Sequence, residues 1–475
     1  MKIIQRIFII LFCVLLALPI TLTNLKPNQK SELDNTILPK FPIFNLSFPQ
    51  NIQAYLKSRI GLRNQMLSLY MTIQDKFFGY LAHPFYYYGT DKEIFYQTTQ
   101  AIVDFDFVDK DYLNIFSDHV KKIQNFCTQR GTEFLFTINP MKTTVYTDNL
   151  PKGINYQNLR INYLEKLIEE KHINYISMKN IMRANMKDLR VFNKKYDAGH
   201  WNDNGAFICF QSILQSLSTR FPELKQINTG EYNIVQEDRP ILNQSVYTIN
   251  DTTDIYTPKF MKSVNLEKYR NYLKLNDILP FYEHYINETN NDAPKVLVFA
   301  GSYYPGRSKF FADSFSETIV LTNYFNILDF DYYYNIFKPD IIVYAVAQHA
   351  LQEGFFPSSQ MAERKYSAVY SFFENLPEKE LIVLINDKNI VSCINNIRDP
   401  ITEFNSVIAG REISFAYAKI GNEFYDLKIN DSGHDYVKDV ILSAKTADIQ
   451  NKPIDFIFIS KEMDYKQTIH MIDNY

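Results

Sequence analysis

Two segments of the chain carry side chains of the kinds that move protons and attack carbonyl carbons. The first is YDAGHWNDNGAF, Tyr196 to Phe207, polar and glycine-containing between helical stretches, so it reads as a loop entering a helix. An aspartate three residues before a histidine lets the Asp197 carboxylate hold one nitrogen of the His200 imidazole. The other nitrogen then faces a reaction site, and the carboxylate stabilises the charged ring. The second is VLVFAGSYYPG, Val296 to Gly306, where an apolar strand ends at Gly301-Ser302. A serine there, at the carboxyl end of a central strand and before a helix N-terminus, sits where open α/β sheets place their ligands. Backbone N–H groups of Ser302 and Tyr303 would hold an oxyanion. Each segment also has a plainer reading taken alone: a packed or capping histidine beside Trp201, and an N-cap serine beside a turn glycine.

The remaining candidates are sparse. His83, His119, His172, His284, His349, His434 and His470 form no ligand-spaced cluster and read as surface or satisfied residues. His349, near the end of a strand and close to the sheet edge, is the one whose mutation tells most. Cys13 lies in an N-terminal apolar run, and Cys127, Cys209 and Cys393 are scattered without Cys-x-x-Cys pairs. They read as buried thiols, with no metal site and no disulfide scaffold. No glycine-rich phosphate loop is present, so no cofactor is expected. The 50 basic and 53 acidic residues leave a formal charge of -3, which offers no field for nucleic acid. With 34 Tyr and 37 Phe but one Trp, aromatic side chains serve a core or a sugar-stacking surface, the core first.

Positioning two such segments requires a sheet, and the patterning supplies one. Asp111 to Gln129 is amphipathic and helical, TEFLFTIN (Thr132 to Asn139) is a buried strand, and Leu159 to Lys171 returns to helix. HINYISM is a further strand and Gly205 to Phe221 a further helix; after a polar insertion from about Asn228 to Asp292, KVLVFAGSYY and KPDIIVYAVAQHAL are strands. Alternation of this kind predicts a parallel sheet with helices on both faces. Within the insertion TDIYTPKF is expected to be a hairpin. From about Leu381 the pattern turns to successive strands, LIVLIND, REISFAYAKIG, NEFYDLKIND, DVILSAKTAD and PIDFIFIS, which predicts an appended β-sandwich.

Upstream, Lys2 and Arg6 precede an apolar run from Ile7 to Leu22, the layout of a signal anchor or signal peptide, here read as an uncleaved anchor. The positive flank stays in the cytoplasm, so the body faces the periplasm. Residues 24–49, rich in Asn, Pro, Lys and Ser, read as a linker lifting the domain off the membrane. Residues Asn51 to Phe78 have helical spacing with a break at Gly61, and FYYYGTDKEIFY (Phe85 to Tyr96) reads as two short strands joined by a turn.

NPMKTTVYTDNLP (Asn139 to Pro151), YDAGHWNDNGAF and VFAGSYY, in that order, closely resemble the blocks of alginate O-acetyltransferase-like proteins, a permuted branch of the SGNH hydrolase fold. The upstream turn ending in Phe-Tyr and the KPDIIVYAVAQHAL strand are similar too, so the resemblance covers roughly Phe41 to Leu351. It implies Ser302 as nucleophile, His200 as general base and Asp197 as orienting acid, with Lys142 and Tyr146 in structural positions. Two features depart from the pattern. Many relatives have Asp-x-His before the tryptophan, which makes Asp203 the alternative acid, and Gly301 stands where many carry Asp or Thr.

The activity implied is O-acetylation of an exported cell-envelope or extracellular polysaccharide through an acetyl-serine, with an integral membrane O-acyltransferase passing the acetyl group across the bilayer. A carbohydrate esterase would use the same triad, and a non-catalytic glycan-binding component of an export complex would not need it. The organisation expected is an anchor or signal peptide over 1–24, a linker and membrane-proximal helical region over 25–109, the catalytic region over 110–375 and a β-rich region over 376–475, for which carbohydrate binding is the candidate role.

Overall fold

The computed structural model describes residues 2–26, 29, 31, 37–96, 107–152, 156–384, 400–409, 413–431, 437–450 and 452–471. Cys393, His434 and much of LIVLIND lie outside the described residues.

Strands rich in Val, Ile, Leu and Phe on every position have no polar face to turn to water, so they must be covered on both sides. They form the middle of a seven-stranded sheet. Its spatial order is Tyr175–Ile176, Glu133–Asn139, Ile341–Ala347, Lys295–Ala300, Glu317–Thr322, Tyr282–Ile286 and Val264–Asn265. The first five strands run parallel, and the last two are antiparallel. Every residue of Ile341–Ala347 is buried, as are Val296 to Ala300. The Lys110–Gln129 and Met178–Asn185 helices pack on the Glu133–Asn139 strand, and the Asp203–Leu217 helix packs on Met178–Asn185.

The polar insertion completes this sheet. It contributes the two antiparallel edge strands and a two-stranded ribbon, Tyr232–Asp238 paired with Thr252–Pro258. TDIYTPKF is therefore one strand of that ribbon and not a hairpin: its partner lies upstream, and the chain between them makes the turn. The expected HINYISM strand shrinks to Tyr175–Ile176 at the sheet edge, because Ser177 accepts a hydrogen bond from the Asn180 amide and starts a helix.

The C-terminal strands close into two four-stranded antiparallel sheets whose facing side chains, among them Phe404, Ile408, Ala418, Leu442, Phe456 and Phe458, share one core. Buried Asp426 receives the Arg130 guanidinium at 2.9 Å, which ties these strands to the parallel-sheet body.

At the other end, the Lys2–Thr21 helix is followed by the Phe48–Arg59 and Arg63–Phe78 helices. The break expected at Gly61 is present, with Leu62 in the left-handed region at φ 59°. A β-carbon on Gly61 would stand 2.4 Å from Leu22 Cβ, so glycine is required where these helices meet. Arg59 is buried and donates to the carbonyls of Asn24, Lys26 and Pro39. Asn24, Lys26 and Pro39, all within the expected spacer, thus meet at one side chain.

FYYYGTDKEIFY forms the antiparallel pair Tyr86–Tyr88 and Ile94–Tyr96. The pair is fastened to the body by Lys142, whose buried ammonium meets Glu93 at 2.9 Å and donates to the carbonyls of Ile94, Asn193 and Lys194 at 2.8, 2.6 and 2.9 Å. Burial draws that ammonium down to about 8, against the pull of Glu93. Tyr146, through its hydroxyl, accepts from the Val191 amide at 3.2 Å. Both residues hold loops in place. Replacing Lys142 with methionine leaves buried Glu93 with Arg190 as its remaining cation and takes the ammonium donor from three carbonyls, of which that of Lys194 keeps the Ile94 amide. The expected loss is about 3–5 kcal/mol, read from the midpoint of denaturant unfolding; a loss under about 1 kcal/mol would refute this role.

Candidate active site

The site lies at the carboxyl ends of the parallel strands, where Asn139, Ala300, Thr322 and Ala347 finish. Ser302 follows one of these ends and His200 comes from the loop entering the Asp203–Leu217 helix. That loop is set by its own hydrogen bonds. Asn202 caps the helix by accepting from the Gly205 amide at 3.0 Å, and Asp251 accepts the Lys195 and Tyr196 amides at 2.6 and 2.7 Å. Asp197 sits at φ 42°, a left-handed conformation that costs energy for a non-glycine residue and turns its carboxylate back towards His200.

The three residues meet. His200 Nδ1 lies 2.9 Å from Asp197 Oδ1, and His200 Nε2 lies 3.1 Å from Ser302 Oγ, across 102 residues of sequence. Burial pushes the Asp197 carboxyl up, but the His200 imidazole, a hydrogen bond from Asn243 and the Arg307 guanidinium outweigh it and hold the group below its ordinary range. Asp197 is therefore ionised at neutral pH. About 30% of the His200 side chain is exposed, so a substrate can reach it. Asp203, the alternative acid, is committed elsewhere: its oxygens take Arg307 at 2.8 Å, Lys309 at 2.6 Å and the Tyr256 amide at 3.0 Å.

Trp201 locks the two segments together. Its indole N–H donates to the Tyr303 carbonyl at 3.1 Å, and the two rings meet edge to face with centroids 5.1 Å apart. Tyr303 in turn donates its hydroxyl to the Pro140 carbonyl at 3.0 Å, which brings the NPMKT segment into the same assembly.

Three features depart from the sequence reading. No α-helix follows Ser302; the chain turns through Tyr304 N–H to Gly301 carbonyl, 3.2 Å, and continues into short 3-10 turns at Ser308–Phe310 and Ala312–Ser314. Pro305 and Gly306 break any helical run there, so a helix dipole does not contribute to the site. Second, the strand carrying His349 is central and not near a sheet edge. His349 lies just past its carboxyl end, stacked on Tyr303 at 6.1 Å, and shares a small pocket with Tyr96, Met141, Thr143 and Gly199. Third, the sequence reading missed Tyr324. Its hydroxyl stands beside the Ser302 side chain and backbone amide, whose influence partly offsets the burial that raises its pKa. A β-carbon on Gly301 would stand 3.0 Å from that hydroxyl, which is why glycine fits here where the resembled family carries larger residues. Only its place two residues past a strand end, facing Gly-Ser, could have signalled it.

Similar solved structures include Bacillus cereus PatB1 (17% identity, TM-score 0.42, 55% of this chain and 95% of that one). The O-acetyltransferase domain of Pseudomonas putida AlgJ gives 16%, 0.37, 58% and 98%, and Pseudomonas aeruginosa AlgX gives 12%, 0.38, 81% and 90%. No protein-family model matches the chain, and no curated protein matches it in sequence.

Two outcomes test this geometry. Tyr324→Phe is expected to lower turnover of an activated ester by about three- to tenfold, the worth of one hydrogen bond. Gly301→Ala is expected to act through the same hydroxyl, so its effect shrinks on the Tyr324→Phe background; strictly additive effects would count against the coupling. The second concerns acid. Burial, then the nearby His200, lower the His349 imidazole from 6.5 to about 4. Between those values the unfolded chain binds a proton that the folded chain does not. Stability is therefore full above pH 6.5 and is lost as pH falls towards 4. His349→Gln is expected to flatten that fall in Tm, and an unchanged slope would show that His349 does not titrate this way.

Proposed function

We propose that the chain is a serine-dependent O-acetyltransferase acting on an exported cell-envelope or extracellular polysaccharide, with Ser302 as nucleophile, His200 as general base and Asp197 as its orienting acid. One observation carries the proposal: a single imidazole bridges a carboxylate at 2.9 Å and a serine hydroxyl at 3.1 Å, at the open end of a parallel sheet. A serine hydroxyl is a weak nucleophile until a base takes its proton, and the base needs a fixed tautomer.

In the first half-reaction His200 Nε2 takes the Ser302 proton while Oγ attacks the carbonyl carbon of the acetyl donor. The oxyanion forms beside the Ser302 and Tyr303 amides, with the Tyr324 hydroxyl next to it. As the intermediate collapses the proton passes from His200 to the leaving group, and acetyl-serine remains. In the second half-reaction His200 takes the proton of a sugar hydroxyl, whose oxygen attacks the acetyl carbon. The ester leaves on the sugar, and the proton returns to Ser302.

The resemblance in sequence supports an SGNH-like catalytic region over 110–375 and an integral membrane O-acyltransferase as the acetyl source. An apolar helix, Ile3–Thr21, long enough to cross a membrane and with none of its residues buried in the body, supports a periplasmic body held at the inner membrane. Water in place of the sugar would make the enzyme an esterase.

The purified chain, given an activated acetyl ester, is expected to carry acetyl on the Ser302 peptide by mass spectrometry, and Ser302→Ala to carry none. Asp197→Asn is expected to slow turnover by about 10³–10⁴-fold. Adding acceptor polysaccharide is expected to divert acetyl from acetate to sugar. Acetate release indifferent to sugar would favour the esterase, and acetylation that survives Ser302→Ala would end the proposal.

A further inference from the structure

The Arg63–Phe78 helix is amphipathic in the inverse sense. Its exposed residues Met66, Leu69, Tyr70, Ile73 and Phe77 stand at i, i+3, i+4, i+7 and i+11, a single apolar stripe turned to the outside, with Phe77 at 78% exposure. Phe78 and Tyr80 extend the stripe, and Phe41, Ile43, Phe44 and Leu46 add exposed apolar side chains in the preceding segment. Its inner side is anchored by Met71, which packs with Leu81, Tyr86, Ile94, Tyr247 and Ala198. A soluble body has no physical reason to spend its large apolar side chains on water over so extended a surface.

Three observations indicate what covers it. The Ile3–Thr21 helix, apolar and entirely unburied, ends against this same unit: the Gly61 amide donates to the Pro19 carbonyl at 2.8 Å, and the Asn24 amide to the Arg59 carbonyl at 2.8 Å. The contact of Gly61 with Leu22 leaves no room for a β-carbon, so the end of the span and the two helices are held as one piece. Charge points the same way. Residues 37–80 hold Lys40, Lys57, Arg59, Arg63 and Lys76 against Asp75 alone, a net charge of +4 in a chain whose total is -3. Lysine and arginine beside exposed Phe, Tyr and Leu is the composition of a surface that rests in the headgroup region of an anionic bilayer.

We infer that the Arg63–Phe78 helix and the segment before it lie in the lipid interface, seating the body directly on the bilayer that holds the Ile3–Thr21 span. Met71 touches the cluster containing Ala198, next to Asp197, so this seat carries the His200 loop close to the membrane surface. An acetyl group delivered from within the membrane would then have a short path. The inference uses the span as a membrane helix and does not depend on the acetyl-transfer reading.

The test uses the full chain reconstituted into phosphatidylethanolamine–phosphatidylglycerol vesicles, with and without brominated acyl chains. Trp201 is the chain's one tryptophan and is buried, which makes it an internal reference. Phe77→Trp and, separately, Leu69→Trp stand at exposed positions where a larger ring has room. Each is expected to add blue-shifted emission that brominated lipid largely abolishes, while Trp201 emission in the parent chain is unaffected. A chain that floats with the vesicles but keeps both added tryptophans unquenched would overturn the seat and leave the span intact. A chain that does not float at all would overturn the span as well. Unquenched tryptophans that turn blue only as protein concentration rises would assign the face to a second copy, and also overturn the inference.

Discussion

Trp201 and Tyr303 hold the two halves of the site to each other, and the geometry of the relay depends on that contact. Ser302 belongs to a strand end and His200 to a loop on a separate part of the chain, and a 3.1 Å approach between them tolerates little error. The buried indole N–H donating to the Tyr303 carbonyl sets the height of the loop above the turn, and edge-to-face ring packing sets its tilt. Asp251 and the Asn202 cap then fix the loop's internal shape, so His200 has little freedom to swing away.

The sheet beneath provides the second constraint. Parallel strands end on one edge, and four consecutive strand ends bring Pro140, Ser302, Tyr324 and His349 within one small region. Polar groups so crowded must satisfy one another. Gln348 does part of this, its side-chain carbonyl accepting from the Met141 amide and the Thr144 hydroxyl at 3.0 and 2.9 Å. Gly301 contributes by lacking a side chain, which leaves room for the Tyr324 hydroxyl beside the serine. The insertion that looked featureless in sequence matters here too, since Asp251 and Asn243 within it hold the Asp197 loop from above.

The Phe48–Arg59 and Arg63–Phe78 helices, the Tyr86–Tyr96 strand pair and the His200 loop are packed in series. Met71 reaches Ala198 through one small cluster, and Lys142 pins the strand pair to the carbonyls just before the loop. The inferred lipid seat would keep the site at a fixed height from the bilayer, and the antiparallel C-terminal sheets attach at a different part of the body through Arg130 and Asp426.

Local patterning by itself determined much of this. Apolar runs marked the buried strands, helical spacing marked the helices of residues 51–78 and the break at Gly61, and Asp197, His200 and Ser302 were nameable because the blocks around them, taken together, resemble those of a known family. Side-chain periodicity is a local property, and local properties are legible in a linear string. What only the tertiary structure decided were relations between distant residues. Asp203 is no alternative to Asp197 because Arg307 and Lys309, far along the chain, neutralise it. TDIYTPKF pairs with an upstream strand, and no helix follows Ser302. Tyr324 touches the serine, and Asn24 and Pro39 both fold onto Arg59. Each of these depends on which partner wins a hydrogen bond or a volume of space, and that competition is settled only when the whole chain packs.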